Sequence, residues 1–128
     1  KTLSPLIASL QTKKHIINMT GKTSLSHTAD IIQHALLVIS NDTAVSHIAV
    51  ALNKPTIVIS NGEHYGRFTY PPEIYSAIYY AFPPEMQRTQ LSFEQLVEKF
   101  QYGSFLNIDT IELTDVIRLI DNVMKSYT

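Results

Sequence analysis

Apolar residues along this chain alternate between unbroken runs and a spacing of three and four. The run Leu36-Leu37-Val38-Ile39-Ser40 breaks off at Asn41-Asp42-Thr43, and Val45, Ile48, Ala49 and Leu52 then follow at i, i+3, i+4 and i+7. That is a strand entering a helix over 44–52 through a polar corner. Upstream, Leu3, Leu6, Ile7 and Leu10 predict a helix over 3–11 that reads as the tail of a longer one. His15-Ile16-Ile17-Asn18-Met19 predicts a short strand, and Thr20-Gly21-Lys22-Thr23-Ser24 a turn into a helix over 25–34 with Leu25, Ala29 and Ile32 inward. The run from Leu36 to Ser40 has the continuous character of a parallel strand covered on both faces.

Asn53-Lys54-Pro55 stops the second helix, and the β-branched run Thr56-Ile57-Val58-Ile59-Ser60 predicts a third strand. Residues 61–72 are too rich in Gly, Pro and polar side chains for regular structure and predict a long functional loop. Aromatic-rich residues 74–82 predict a further strand ended by Pro83-Pro84. Ser92 with Gln95 fits a capping box ahead of a stripe of Phe93, Leu96, Val97 and Phe100. Thr114 is the expected cap of a last helix whose inner face is Val116, Ile117, Ile120, Val123, Met124 and Tyr127. Strand, helix, strand recurs twice between residues 15 and 60, which predicts right-handed parallel crossovers in a layered α/β domain.

Composition narrows the partners. The 128 residues make a single domain, with 45% hydrophobic and 16% charged residues and a formal net charge of -1. No broad basic field for nucleic acid exists, so any phosphate site is local. The chain has no cysteine for a disulfide or a thiolate zinc site. Its five histidines show no metal-ligand spacing, and neither metal nor cofactor is expected. No apolar run approaches the roughly 20 residues of a membrane span.

In parallel α/β sheets, ligands occupy the crevice beyond the carboxyl ends of the strands. Thr20-Gly21-Lys22-Thr23, Asn41-Asp42-Thr43 and Asn61-Gly62-Glu63-His64 all follow expected strands, so one pocket can draw on all three loops. At the second corner Thr43 or Asp42 is the N-cap. The amides of Ala44, Val45 and Ser46 are then free for an anion, with His47 at the helix edge beside them. A helix terminus contributes only about 0.3–1 kcal/mol toward a nearby charge, so His47, Lys22 or Arg67 is needed for useful affinity. Gly21-Lys22-Thr23 is not the tail of a P-loop, because the first glycine of that motif would fall at Ile16.

The two blocks Asn18-Met19-Thr20-Gly21-Lys22-Thr23-Ser24-Leu25 and Ile39-Ser40-Asn41-Asp42-Thr43-Ala44-Val45-Ser46-His47-Ile48-Ala49, in that order, resemble glycosyltransferase family 9. Its best-known members are ADP-heptose:lipopolysaccharide heptosyltransferases. The resemblance covers residues 16 to about 60, and the loop Asn61-Gly62-Glu63-His64-Tyr65-Gly66-Arg67-Phe68 is similar to one in a subset of the family. It implies a Rossmann-like parallel sheet with flanking helices, part of the C-terminal, donor-binding half of a GT-B fold. Asp42 would then hydrogen-bond the donor sugar, and Thr43, Ala44 and His47 would meet the diphosphate. Thr20, Gly21 and Thr23 would lie beside the nucleotide, and Lys22 and Arg67 would offset phosphate charge, with Asn61, Gly62 and His64 as further loop contacts. Ala44 stands where the family pattern has glycine.

By the same resemblance, the general base and the acceptor site belong to an N-terminal domain that this chain lacks, so transfer by the chain alone is not expected. The implied partners are a nucleotide-sugar donor, ADP-heptose-like, and that missing domain. The implied setting is lipopolysaccharide or surface-glycan synthesis in the bacterial cytoplasm, and it admits a peripheral association of the full enzyme with the inner face of the membrane. The alternative, drawn from the seven tyrosines and their clustering between 65 and 82, is a noncatalytic α/β module that binds a nucleotide or a protein.

Overall fold

The computed structural model describes residues 15–127, so the helix expected over 3–11 lies outside the described residues. Three parallel strands, β1 (Val38–Asn41), β2 (Thr56–Ile59) and β3 (Ile78–Ala81), form a sheet in the order β1-β2-β3. Val38 sits opposite Thr56, and Thr56 opposite Ile78. Helix α1 (Leu25–His34) precedes β1, and α2 (Ala44–Ala51) joins β1 to β2. After β3 come the single turn α3 (Pro84–Gln87), α4 (Phe93–Phe100), a 3-10 turn (Ile108–Thr110) and α5 (Leu113–Lys125). The arrangement is Rossmann-like.

Thr56, Ile57 and Val58 are almost wholly buried, and neighbouring strand residues point to opposite faces, so β2 is covered on both sides. Helix α2 packs on β1 and β2, α1 packs on α2, and α5 packs on β2 and β3. One core cluster gathers Ile32, Val38 and Ala49 with Val45, Ile48 and Leu52 around them, as the helical spacing requires. A second gathers Tyr65, Met86, Leu96 and Phe100 beneath the long loop.

Five expectations need correction. Residues 16–19 are not a strand. No described strand lies beside them to complete a ladder, and Ile17 is exposed. Among the described residues β1 is a sheet edge and not a strand covered on both faces: Val38 is buried while Ile39 is 48% exposed, and α5 packs chiefly on β2 and β3. Leu25 lies in the first turn of α1 and is 71% exposed, so Ile32 is the buried anchor of that helix. Finally, Glu112 and not Thr114 is the N-cap of α5, and the Thr114 hydroxyl instead donates to the Glu112 carboxylate at 3.2 Å. On the same helix Val116 and Val123 are buried, whereas Ile117 is exposed, as is Tyr127, which lies past the helix end at Lys125.

Elsewhere sequence and structure agree closely. The capping box forms in both directions, Ser92 Oγ accepting from the Gln95 amide and Gln95 Oε1 from the Ser92 amide. Pro83-Pro84 ends the strand and, with fixed φ and no N–H, also opens α3. Residues 60–77 form turns without a helix, although they connect two parallel strands. That connection places the far wall of the site.

Candidate functional site

β1 and β2 end side by side, and the segments leaving them face each other across a cleft of about 390 Å³. On one wall stand Asn41, Asp42, Thr43, Ala44 and His47, and on the other Ser60, Asn61, Glu63, His64 and Phe68. Ile108, from the 3-10 turn, adds an apolar patch.

The first wall exists because α2 begins without a side-chain cap. Thr43 is the N-cap residue, extended at φ -142°, yet its hydroxyl lies 3.1 Å from Ser40 Oγ and 3.4 Å from the Asn41 carbonyl oxygen instead of capping the helix. The Ser46 amide turns back to the Thr43 carbonyl at 3.1 Å, so it is not free, contrary to the sequence reading. Among the described residues the open amides are those of Ala44 and Val45, at the positive end of the helix dipole. Thr43 and Ala44 are exposed, so the corner is open to solvent.

His47 stands one turn into the helix. Its Nδ1 lies 2.8 Å from the Tyr70 hydroxyl, its Nε2 lies 3.9 Å from Asp42 Oδ1, and the rings of Phe68 and Tyr70 flank it. Burial pushes the Asp42 carboxyl above its usual range, while His47 and His64 nearby pull in the other direction. The second wall is braced from below. The Gly62 amide donates to Ser60 Oγ at 3.0 Å, the Ser104 hydroxyl donates to the Asn61 carbonyl at 2.7 Å, and His64 Nδ1 reaches the Gln101 carbonyl at 3.3 Å. His64 adopts a left-handed φ of 55°, unusual for a side-chain-bearing residue and held by that bond.

Of the residues singled out in the sequence, the cleft brings together Asp42, Thr43, Ala44, His47, Asn61 and His64. Gly62 (φ 80°) is buried beside the cleft, where a Cβ would strike the Met86 side chain, so its work is close packing. Arg67 lies outside the lining, its guanidinium 5.1 Å from the Phe68 ring centre, over a neighbouring hollow shared with Tyr70 and Tyr75. Thr20, Gly21, Lys22 and Thr23 do not line the cleft. Lys22 Nζ closes its own loop on the Asn18 carbonyl at 3.2 Å, and Thr23 Oγ1 accepts from Thr28 at 3.0 Å. Tyr70, Tyr80, Gln101 and Ser104 escape the sequence reading as site supports. The clustering of tyrosines marks the first two without showing what each hydroxyl meets.

Among the described residues no group of three or more His, Asp or Glu side chains is placed to hold a metal, and no helix is long and apolar enough to cross a membrane.

The profile of glycosyltransferase family 9 (heptosyltransferase) matches residues 2–73. The chain is similar to lipooligosaccharide heptosyltransferase 2 of Haemophilus influenzae, 36% identical over 47 residues, which are 37% of this chain and 14% of that relative. It is also similar to the Haemophilus ducreyi protein of the same name, 38% identical over 48 residues, 38% of this chain and 14% of that relative. The matched stretch is thus a small part of either curated relative. No solved structure matches.

Proposed function

This chain belongs to glycosyltransferase family 9, and on that premise we propose that its cleft receives the diphosphate and sugar of a nucleotide-sugar donor, ADP-heptose-like, for glycosyl transfer in lipopolysaccharide or surface-glycan synthesis. The observation that carries the reading is the uncapped first turn of α2 opening into the cleft with His47 and Asp42 at its sides. The Ala44 and Val45 amides and His47 Nε2 offer donors to phosphate oxygens. Asp42, carrying acceptor oxygens, suits hydroxyls of the sugar.

The chemistry then asks little of this chain beyond binding and charge. An acceptor hydroxyl attacks the anomeric carbon, the glycosidic bond to the diphosphate breaks, and negative charge grows on the leaving phosphate. Donors fixed before the reaction at that position stabilise the transition state more than the ground state. The group that takes the acceptor's proton, and the acceptor site itself, are assigned to a further domain of the whole enzyme.

Titration with ADP followed by amide NMR tests the reading. Shifts concentrated at Thr43, Ala44 and His47 are expected, and a folded protein whose signals there do not move overturns it. Binding is expected to be weak, because one wall of the complete donor cleft belongs to the rest of the enzyme.

A further inference from the structure

His47 meets its neighbours through both ring nitrogens. Nδ1 lies 2.8 Å from the hydroxyl of Tyr70, a residue 23 positions along the chain, and Nε2 faces Asp42 Oδ1 at 3.9 Å. That second distance is too long for a hydrogen bond, so Nε2 lies near the carboxylate and is not consumed by it. Tyr70 is itself held from behind. Its amide donates to the Tyr80 hydroxyl at 2.9 Å, and its ring packs edge-on against Tyr75 at 4.7 Å. Tyr80 belongs to β3, so a chain of contacts runs from the far edge of the sheet through the coil to the first turns of α2.

A neutral imidazole has one donor and one acceptor nitrogen, and its neighbours decide which is which. A tyrosine hydroxyl can donate or accept, so this contact by itself fits either tautomer; the Asp42 carboxylate 3.9 Å from Nε2 favours the ring proton on that side, and Tyr70 then donates to Nδ1. Nδ1 is then the acceptor and the ring proton sits on Nε2. His64 has the opposite arrangement, because a carbonyl oxygen only accepts and its contact with Gln101 therefore puts the proton on Nδ1. The two imidazoles of the cleft thus differ in polarity, and His47 is the one that offers an N–H.

We propose that Tyr70 is a positioning residue that locks the neutral His47 ring with its proton on Nε2, so that the ring serves as a hydrogen-bond donor to the anion in the cleft. This rests on the nucleotide-sugar reading and deepens it. Removing the hydroxyl frees the ring to carry its proton on either nitrogen and to turn, which weakens the donor without touching the ligand directly.

The test reads the ring nitrogens of His47 by 15N NMR in the ligand-free protein and then titrates ADP. Wild type is expected to carry the proton on Nε2. Tyr70→Phe is expected to mix the two tautomers and to weaken ADP roughly three- to tenfold, the worth of one ordinary hydrogen bond. Tyr75→Phe, which keeps the packing ring and leaves the Tyr70 hydroxyl in place, is expected to change neither. A wild-type ring protonated on Nδ1 overturns the proposal with no variant needed. So does a folded Tyr70→Phe protein with unchanged tautomer and affinity. If the tautomers behave as stated but wild type does not bind ADP, the donor-binding reading fails while the orientation of His47 by Tyr70 stands.

Discussion

The sheet makes its two parallel connections in different ways. β1 passes to β2 through helix α2, whereas β2 passes to β3 through residues 60–77, which contain only turns. The helical connection supplies donors at backbone level: its first turn is left uncapped because Thr43 and Ser40 bond to each other and to the Asn41 carbonyl. The coil connection supplies side chains, among them His64, Phe68 and Tyr70, each held by a contact distant in sequence. A helix orients its groups by its own periodicity, while a coil has to be pinned residue by residue. The cleft lies between one wall of each kind, so damage to the two walls is expected to differ in character.

The largest expected effect falls on the helical wall. Asp42→Ala in the complete enzyme is expected to cut kcat/KM roughly 100-fold or more while leaving the fold intact, since Asp42 makes no capping bond to α2. Near-normal turnover removes Asp42 from the site. On the coil wall the same smallness of change should act on stability instead. Gly66 has φ 85°, and a Cβ there would run into the stiff Val97 side chain, so Gly66→Ala is expected to cost about 1–3 kcal/mol in denaturant unfolding. Gly21 has φ 69° with open space around it, and Gly21→Ala should cost only about 1 kcal/mol from the backbone term. Equal losses at the two glycines would mean that the coil is not pinned by its packing.

Outside both walls, Ser92→Ala breaks the capping box of α4 and is expected to cost about 0.5–2 kcal/mol without altering ADP titrations. The smallest expected effect is one of pH. Burial raises Asp42 in the folded protein, so the stability linked to its protonated form is present at low pH and is lost as pH rises through that raised value. Asp42→Asn is therefore expected to be slightly more stable than wild type near neutrality, with the gap closing in acid. A gap that widens as pH falls would mean that the His47 and His64 charges, not burial, dominate the carboxylate.

Much of the site was legible because it is local. Asp42, Thr43, Ala44 and His47 lie within one strand-to-helix corner, and the periodicity of Val45, Ile48, Ala49 and Leu52 turns the corner outward by itself. Asn61 and His64 followed from the end of the next strand. Lys22 did not, because a loop after a nominal strand reaches the crevice only if that strand joins the sheet, and residues 16–19 do not. Arg67 is near in sequence to His64, yet its long side chain lies over Phe68 and outside the cleft.

The amino-acid order alone determined the α/β class, the helical crossover between β1 and β2, the capping box of α4 and the corner that carries the candidate site, since each depends on residues a few positions apart. Tertiary structure decided that β1 would be an edge with Ile39 exposed, that Gly62 and Gly66 would be packing positions, and that Tyr70 and Tyr80 would brace His47. Those outcomes turn on which segments meet across 10 to 40 residues of chain. Local preference carries no information about such meetings until the sheet and its coverings have formed.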